Sequence, residues 1–249
     1  MHRLQKTATI LLALALAVLI IFAAGCKKSS STAVSPTITP ITDDLFPLTA
    51  GHTITYTGFV RTAGTDVNDS STGSVYAASW TVASNSATSP LGGTSNLVID
   101  STTAPSPSVN SLYVLRTPPT GSSNFSFLQN VAFQGTDTLT WVLVGDVEDG
   151  ITAYWQAFDD SIGTGSSKVE LRIVGHYADQ ETLAVAGHTF FTYRLAITKN
   201  ILVDGLVSGD PDIPLATYWF APGIGPVKMI LNATADANGY YREFKSKNF

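Results

Sequence analysis

The strongest constraint on the fold is an alternation of apolar and polar residues that returns from Leu45 to the end of the chain. Lys168-Val-Glu-Leu-Arg-Ile-Val174 sets Val169, Leu171 and Ile173 against Lys168, Glu170 and Arg172. Successive side chains of an extended strand point to opposite faces. Such a segment is therefore an antiparallel strand with a dry face and a wet one. His52–Thr57 repeats the pattern, with Ile54 and Tyr56 against three threonines, and Thr138–Val144 sets Leu139, Trp141 and Leu143 together. Further strands are expected at 74–83, 94–100, 110–116, 151–158, 181–185, 189–198, 215–220, 226–232 and 239–246. Asp149-Gly150 and Asn238-Gly239 fall between them, and both dipeptides tolerate the positive φ of a tight hairpin. No amphipathic helix of three turns is visible after the first 25 residues. The expectation is a single mainly β domain over 45–249. It is one meandering antiparallel sheet with little helix, curved into a half-barrel or folded on itself as a sandwich.

The chain ahead of that domain obeys a different rule. Met1–Lys6 carries Arg3 and Lys6, Ile10–Phe22 is almost wholly aliphatic, and Ala23, Ala24 and Gly25 are small. A basic head, an apolar run and small residues at a cleavage point make a secretory signal peptide over 1–25. The apolar run is about 16 residues long, short of the roughly 20 that span a bilayer as a helix. Cys26 follows, the only cysteine of the 249 residues, so no disulfide can form within the chain. A reactive thiolate needs a folded electropositive pocket. Cys26 instead lies between an aliphatic leader and the Ser/Thr/Pro-rich stretch 27–44, KKSSSTAVSPTITPITDD. That stretch has no apolar period and reads as an extended tether reaching at most about 60 Å.

Ala23-Ala-Gly-Cys26 resembles the bacterial lipobox. The resemblance implies that the leader is cut before Cys26, that the thiol takes a diacylglycerol, and that the new amino terminus is N-acylated. Two or three acyl chains, at about 0.8 kcal/mol per buried methylene, anchor far more firmly than one. By the same resemblance Lys27, where an Asp would retain the protein at the inner membrane, favours the outer membrane on its periplasmic side. Lys27-Lys28 followed by Ser29-Ser30 has the lysines of a surface-export tag without its acids.

Two further segments resemble a group of uncharacterised bacterial lipoproteins. Leu45-Phe-Pro-Leu-Thr-Ala-Gly-His-Thr-Ile-Thr-Tyr56 is similar to their FPL…G-x-x-W-x-Y opening, with Ile54 at the tryptophan position. Thr217-Tyr-Trp-Phe-Ala-Pro-Gly-Ile-Gly-Pro-Val-Lys228 is similar to their closing W-Y-A-P-G-V-G-x-V-K. The resemblance implies an exported β-rich domain with no established activity. Chemically, the closing segment reads as an aromatic strand end, a turn at Pro222-Gly223, a second special backbone angle at Gly225 and a new strand from Pro226. That strand places Val227, Met229 and Leu231 on one face and Lys228 on the other. The segment lacks the G-x-x-x-x-G-K-[ST] of a phosphate loop, and Pro226 has no N–H to offer a phosphate.

No catalytic constellation emerges. Ala-Gly-His-Thr occurs at 50–53 and 186–189, each copy reading as a glycine turn that feeds a strand. His52, His176 and His188 lack metal-ligand spacing. The acids cluster at Asp146–Asp149, at Asp159-Asp160, and at Asp204, Asp210 and Asp212. They read as solvated turns and match no calcium loop. Gly163-Thr-Gly-Ser-Ser167 is a loop and no nucleophile elbow. Asn68, Asn124 and Asn232 stand in N-x-[ST] sequons. After Cys26 exposure the chain carries 12 Lys and Arg against 19 Asp and Glu, a net −7 that argues against nucleic acid as a partner.

The reading is a lipid-anchored envelope lipoprotein with a non-catalytic β domain, no cofactor and no metal. Its partners are the membrane, through Cys26, and a hydrophobic ligand held by a curved apolar sheet, as in half-barrel lipoprotein carriers. The alternative is a scaffold subunit with an envelope protein partner, and an enzyme is the weakest class. Cys26→Ser should abolish acylation and leave uncut or soluble precursor. A variant that still fractionates with lipid at mature size would overturn the lipobox.

Overall fold

The computed structural model describes residues 44–63, 68–69, 75–103, 107–117, 124–146, 154–164, 168–209, 211–234 and 238–249. The leader, Cys26 and the tether to Asp43 lie outside the described residues, as does Asp149-Gly150. Among the described residues there is no helix and there are fourteen strands. In chain order they are β1 (Thr53–Arg61), β2 (Asn68–Asp69), β3 (Val75–Thr88), β4 (Thr94–Thr102), β5 (Ser108–Arg116), β6 (Phe125–Phe133) and β7 (Thr136–Gly145). Then follow β8 (Tyr154–Ile162), β9 (Val169–Val185), β10 (His188–Val203), β11 (Leu206–Val207), β12 (Ile213–Ala221), β13 (Gly225–Leu231) and β14 (Gly239–Lys247).

All pair antiparallel in one sheet, in the order β7-β6-β5-β4-β3-β1-β14-β13-β12-β10-β9-β8, with β2 on β1 and β11 on β10. The first and last long strands are therefore neighbours in mid-sheet, and the two ends of the sheet come from the middle of the chain. The sheet curls until β7 meets β8, which makes a barrel nearly closed, with one seam. Curvature goes further than the half-barrel expected from sequence, because closure leaves only one pair of unpaired edges. Trp155 of β8 bridges that seam, its Nε1–H donating to the Leu143 carbonyl of β7 at 2.9 Å. A side chain at Gly175 of β9 would run into the Trp155 indole, so the glycine leaves the space in which the ring lies.

The expected inward faces of 52–57 and 168–174 hold: Ile54, Tyr56, Leu171 and Ile173 are buried. In β7 the assignment is reversed. Val142 and Val144 are buried, whereas Leu139 is exposed and Trp141 and Leu143 are half-buried on the outer face. Both faces of 138–144 are apolar, so alternation alone does not choose between them. The segments 168–174 and 181–185 belong to one strand, β9. The strand β6 arises from FSFLQNVAF, a run without clean alternation. Asn238-Gly239 makes no positive-φ turn. Gly239 begins β14 where a side chain would strike the Leu231 carbonyl, and Asn238 Oδ1 accepts from Ala63 N–H at 2.8 Å. Tight two-residue hairpins fall instead at Gln134-Gly135, Ala186-Gly187 and Asp204-Gly205, all with positive φ.

One end of the barrel is stoppered. Residues 44–48 are not a strand, yet Leu45, Phe46 and Leu48 are buried. The Phe46 ring lies 5.9 Å from Trp80, 5.9 Å from Phe125, 6.1 Å from Phe127 and 6.0 Å from Phe220, within the range of favourable aromatic pairs. Hydrogen bonds fix the segment: Gly223 N–H donates to Asp44 O at 2.7 Å, Asn85 Nδ2 to Leu48 O at 2.7 Å, and Arg116 to both Asp44 and the Phe46 carbonyl. Phe46→Ala should cost about 3–5 kcal/mol, read as a lower urea midpoint. Val109→Ala, at a position of β5 that is 73% exposed, should stay within about 0.5 kcal/mol. Equal midpoints for the two variants would remove the stopper from the account.

Candidate ligand-binding site

The same strands that hold the stopper lead to a hollow at the opposite end. β6 meets Phe46 through Phe125 and Phe127 and reaches the hollow at Val131 and Phe133. β13 starts at Gly225, against Phe46 and Ile54, and arrives at Leu231. The cavity there has a volume of about 410 Å³, within the roughly 300–1,000 Å³ of small-molecule sites. Leu171 and Ile173 from β9, Ile201 from β10 and Leu215 from β12 complete an apolar wall. Gln129, Asn130, Asn232 and Asn238 add amides, and Lys199 adds an ammonium. A deeper recess of about 40 Å³ shares Gln129, Ile173, Leu215 and Leu231 with this cavity and reaches Val142, Val144, Ile197 and Tyr218.

β14 carries a buried charge beside this hollow. Tyr240 pairs in register with Leu231, and two residues on, Arg242 is only 4% exposed. Arg242 Nη1 donates to both Asp100 carboxylate oxygens at 2.9 Å, and its Nε to Tyr76 Oη at 3.3 Å. The guanidinium also lies 4.2 Å from the centre of the Tyr240 ring. Gly58 of β1 admits the Tyr76 ring, since a Cβ there would approach Tyr76 Cζ to 2.5 Å. The network ties β14 to β4 across β1 and β3, and leaving its charge unpaired would be costly.

At the stoppered end a second depression of about 570 Å³ is lined by Asp44, Thr49, Asn85, Thr94, Ser95, Asn96 and Arg116 among others. It is polar, and its two charged groups, Arg116 and Asp44, already pair at 2.6 Å.

The residues singled out from sequence fall elsewhere. His52 stacks on Phe249 at 4.0 Å, His176 lies 5.3 Å from Tyr154, and His188 packs on Phe190 and Phe244. Among the described residues no group of three His, Cys, Asp or Glu side chains is placed to hold a metal. Asp159 and Asp160 are strand residues of β8 and do not lie in a loop; Asp204 and Asp212 do sit in turns, with positive φ. Asp210, 147–149 and 165–167 lie outside the described residues. The turn-and-strand reading of both Ala-Gly-His-Thr copies holds, with Gly51 and Gly187 at positive φ. The closing segment is the hairpin β12–β13, with Gly223 and Gly225 at positive φ and Val227 and Met229 buried. Lys199 and Arg242 escaped the sequence reading. Arg242 had a signal, since Tyr-Tyr-Arg-Glu-Phe puts it on the same face as Tyr240 and Phe244.

No family model and no curated protein matches this chain. Among solved structures, it is similar to a candidate lipoprotein from Parabacteroides distasonis ATCC 8503, with 12% identity and a TM-score of 0.46, over 83% of this chain and 99% of that one. It is also similar to a candidate exported protein with a YmcC-like fold from Bacteroides fragilis NCTC 9343, with 12% identity and a TM-score of 0.44, over 83% of this chain and 100% of that one.

Burial next to Arg242 leaves a titration signature. Burial pushes the Tyr240 phenol up to about 12; Asp100 and Tyr76 add to this and the Arg242 charge opposes it. The unfolded phenol ionises near 10. The stabilisation from a neutral Tyr240 is therefore complete below pH 10 and is lost as pH rises from 10 to 12, by roughly 3 kcal/mol at about 1.4 kcal/mol per unit. Burial raises Tyr56, Tyr177, Tyr218 and Tyr241 as well, so urea midpoints measured from pH 8 to 12 should fall over that window and Tyr240→Phe should make the fall shallower by its own share. An unchanged slope in Tyr240→Phe would contradict the assignment.

Proposed function

We propose that this chain is a lipid-anchored envelope protein that binds an apolar ligand in the mouth of its barrel and does no chemistry on it. The observation that carries the reading is the 410 Å³ cavity walled by Val131, Phe133, Leu171, Ile173, Ile201 and Leu231. A sheet path of twelve strands closes wider than the roughly eight that side chains just fill, and its stoppered half is filled by aromatics. A hollow left at one end, with apolar walls and a few amides, has the composition of a ligand pocket. The leader and the Cys26 lipobox motif support placement at the envelope, and the tether 27–44 gives the domain reach from a membrane.

A second reading, a scaffold with a protein partner, draws on one observation. Leu206 is 75% exposed at the β10–β11 hairpin, and register sets it next to Val203, with Val207, Val169 and Ile162 adjoining. Such an exposed apolar edge suits a protein interface.

The full chain carrying Cys26→Ser, which frees the site from its own acyl chains, should take up the neutral fluorescent probe N-phenyl-1-naphthylamine with saturable stoichiometry. Ile201→Trp, filling the cavity, should reduce uptake about tenfold or more, whereas Leu206→Asp should leave it unchanged. No saturable uptake would overturn the ligand reading. Loss of crosslinked envelope partners in Leu206→Asp, with no probe uptake in any form, would favour the scaffold.

A further inference from the structure

Among the described residues, Lys199 is the one charged side chain lining the mouth cavity. β9 pairs it with Ile173 and β12 with Ile213, and two residues on, Ile201 faces Leu171. It is half-buried in the middle of an apolar wall. The ion pairs given by the described residues engage Arg116, Lys168, Arg172, Arg194 and Arg242, and none includes Lys199. Strand pairing does not call for a cation here; a leucine or threonine would pair and pack without the cost of drying an ammonium. The long lysine stem can lie along Ile173 and Ile201 while its head stays in the open mouth. That puts an ammonium in the same cavity as Gln129, which shares the inward face of Phe127 and Val131 and whose amide N–H groups are further donors.

We propose that the cavity takes a single-chain anionic amphiphile, its tail along Val131, Phe133, Leu171 and Ile173 and its carboxylate or phosphate at Lys199 Nζ. The proposal rests on the apolar-ligand reading and adds the head group to it. The volume, near the lower end of the small-molecule range, suits one chain better than two. The charge complementarity is local: the chain as a whole is acidic, so an anion approaches for Lys199 and not for the general field.

The test is displacement of N-phenyl-1-naphthylamine from the full Cys26→Ser chain by three ligands of equal tail, laurate, dodecyl phosphate and dodecanol. At least one anion should bind about tenfold or more tighter than dodecanol, as a charge-assisted hydrogen bond provides. Lys199→Met, which keeps length and apolar bulk, should bring that anion within about twofold of dodecanol while dodecanol itself is unmoved, and Lys199→Arg should keep the preference. Whichever anion binds tighter identifies the head group. Equal binding of all three ligands to the Lys199 form, or equal weakening of all three by Lys199→Met, would overturn the anionic head and leave the apolar pocket standing. Absence of probe uptake would overturn the pocket, and this proposal with it.

Discussion

The structure depends on one ring in one place: Phe46, inserted into the end of the barrel from a segment that is not itself a strand. Four aromatic rings from β3, β6 and β12 surround it, and Gly225 at the start of β13 leaves it room. The opening motif and the closing motif, 170 residues apart, meet there. Tyr56 Oη–H donates to the Pro226 carbonyl at 3.0 Å inside the same core, and Asp44 O accepts from Gly223. Barrel closure alone would leave an open tube at this end; the stopper turns the tube into a cup. The positive φ of Gly223 and Gly225 is what lets the β12–β13 turn present its backbone to that segment.

Closing one end settles where a ligand can go. Aromatic side chains fill the lumen beside Phe46, and at the other end it opens among Val131, Phe133, Leu171, Ile173 and Leu231. The Arg242–Asp100 pair stands at the flank of that transition, bridging β14 to β4. Its worth is in geometry more than in net stability, since a buried pair repays little more than its own desolvation. Trp155 performs a comparable task at the seam, replacing a missing strand ladder with a single indole donor over Gly175.

Much was legible before any coordinates. Alternation located nearly every long strand, and the pattern Pro222-Gly223 to Pro226 described its hairpin correctly, because turn chemistry is local and each glycine acts through its own φ. The misreadings share a physical cause. β7 is apolar on both faces, so which face is dry depends on what it packs against. β6 carries Gln129-Asn130 in its middle, a polar break that periodicity penalises; Gln129 faces the mouth cavity and Asn130 is exposed on the other face. Asn238-Gly239 looks like a turn by composition, but its glycine answers to a passing backbone from another strand.

The sequence by itself determined that the chain makes antiparallel strands and where the β12–β13 hairpin turns, and it sets Ala23-Ala-Gly-Cys26, which resembles a lipobox, behind an apolar leader. These follow from the two-residue period of a strand, from backbone dihedrals and from contiguous motifs. Only the tertiary structure decided that the sheet closes to a single seam, that Phe46 seals one end, and that Lys199 and Arg242 face inward at the other. Each of those facts is a meeting of residues far apart in the chain, and no local period records which distant strand a side chain will face.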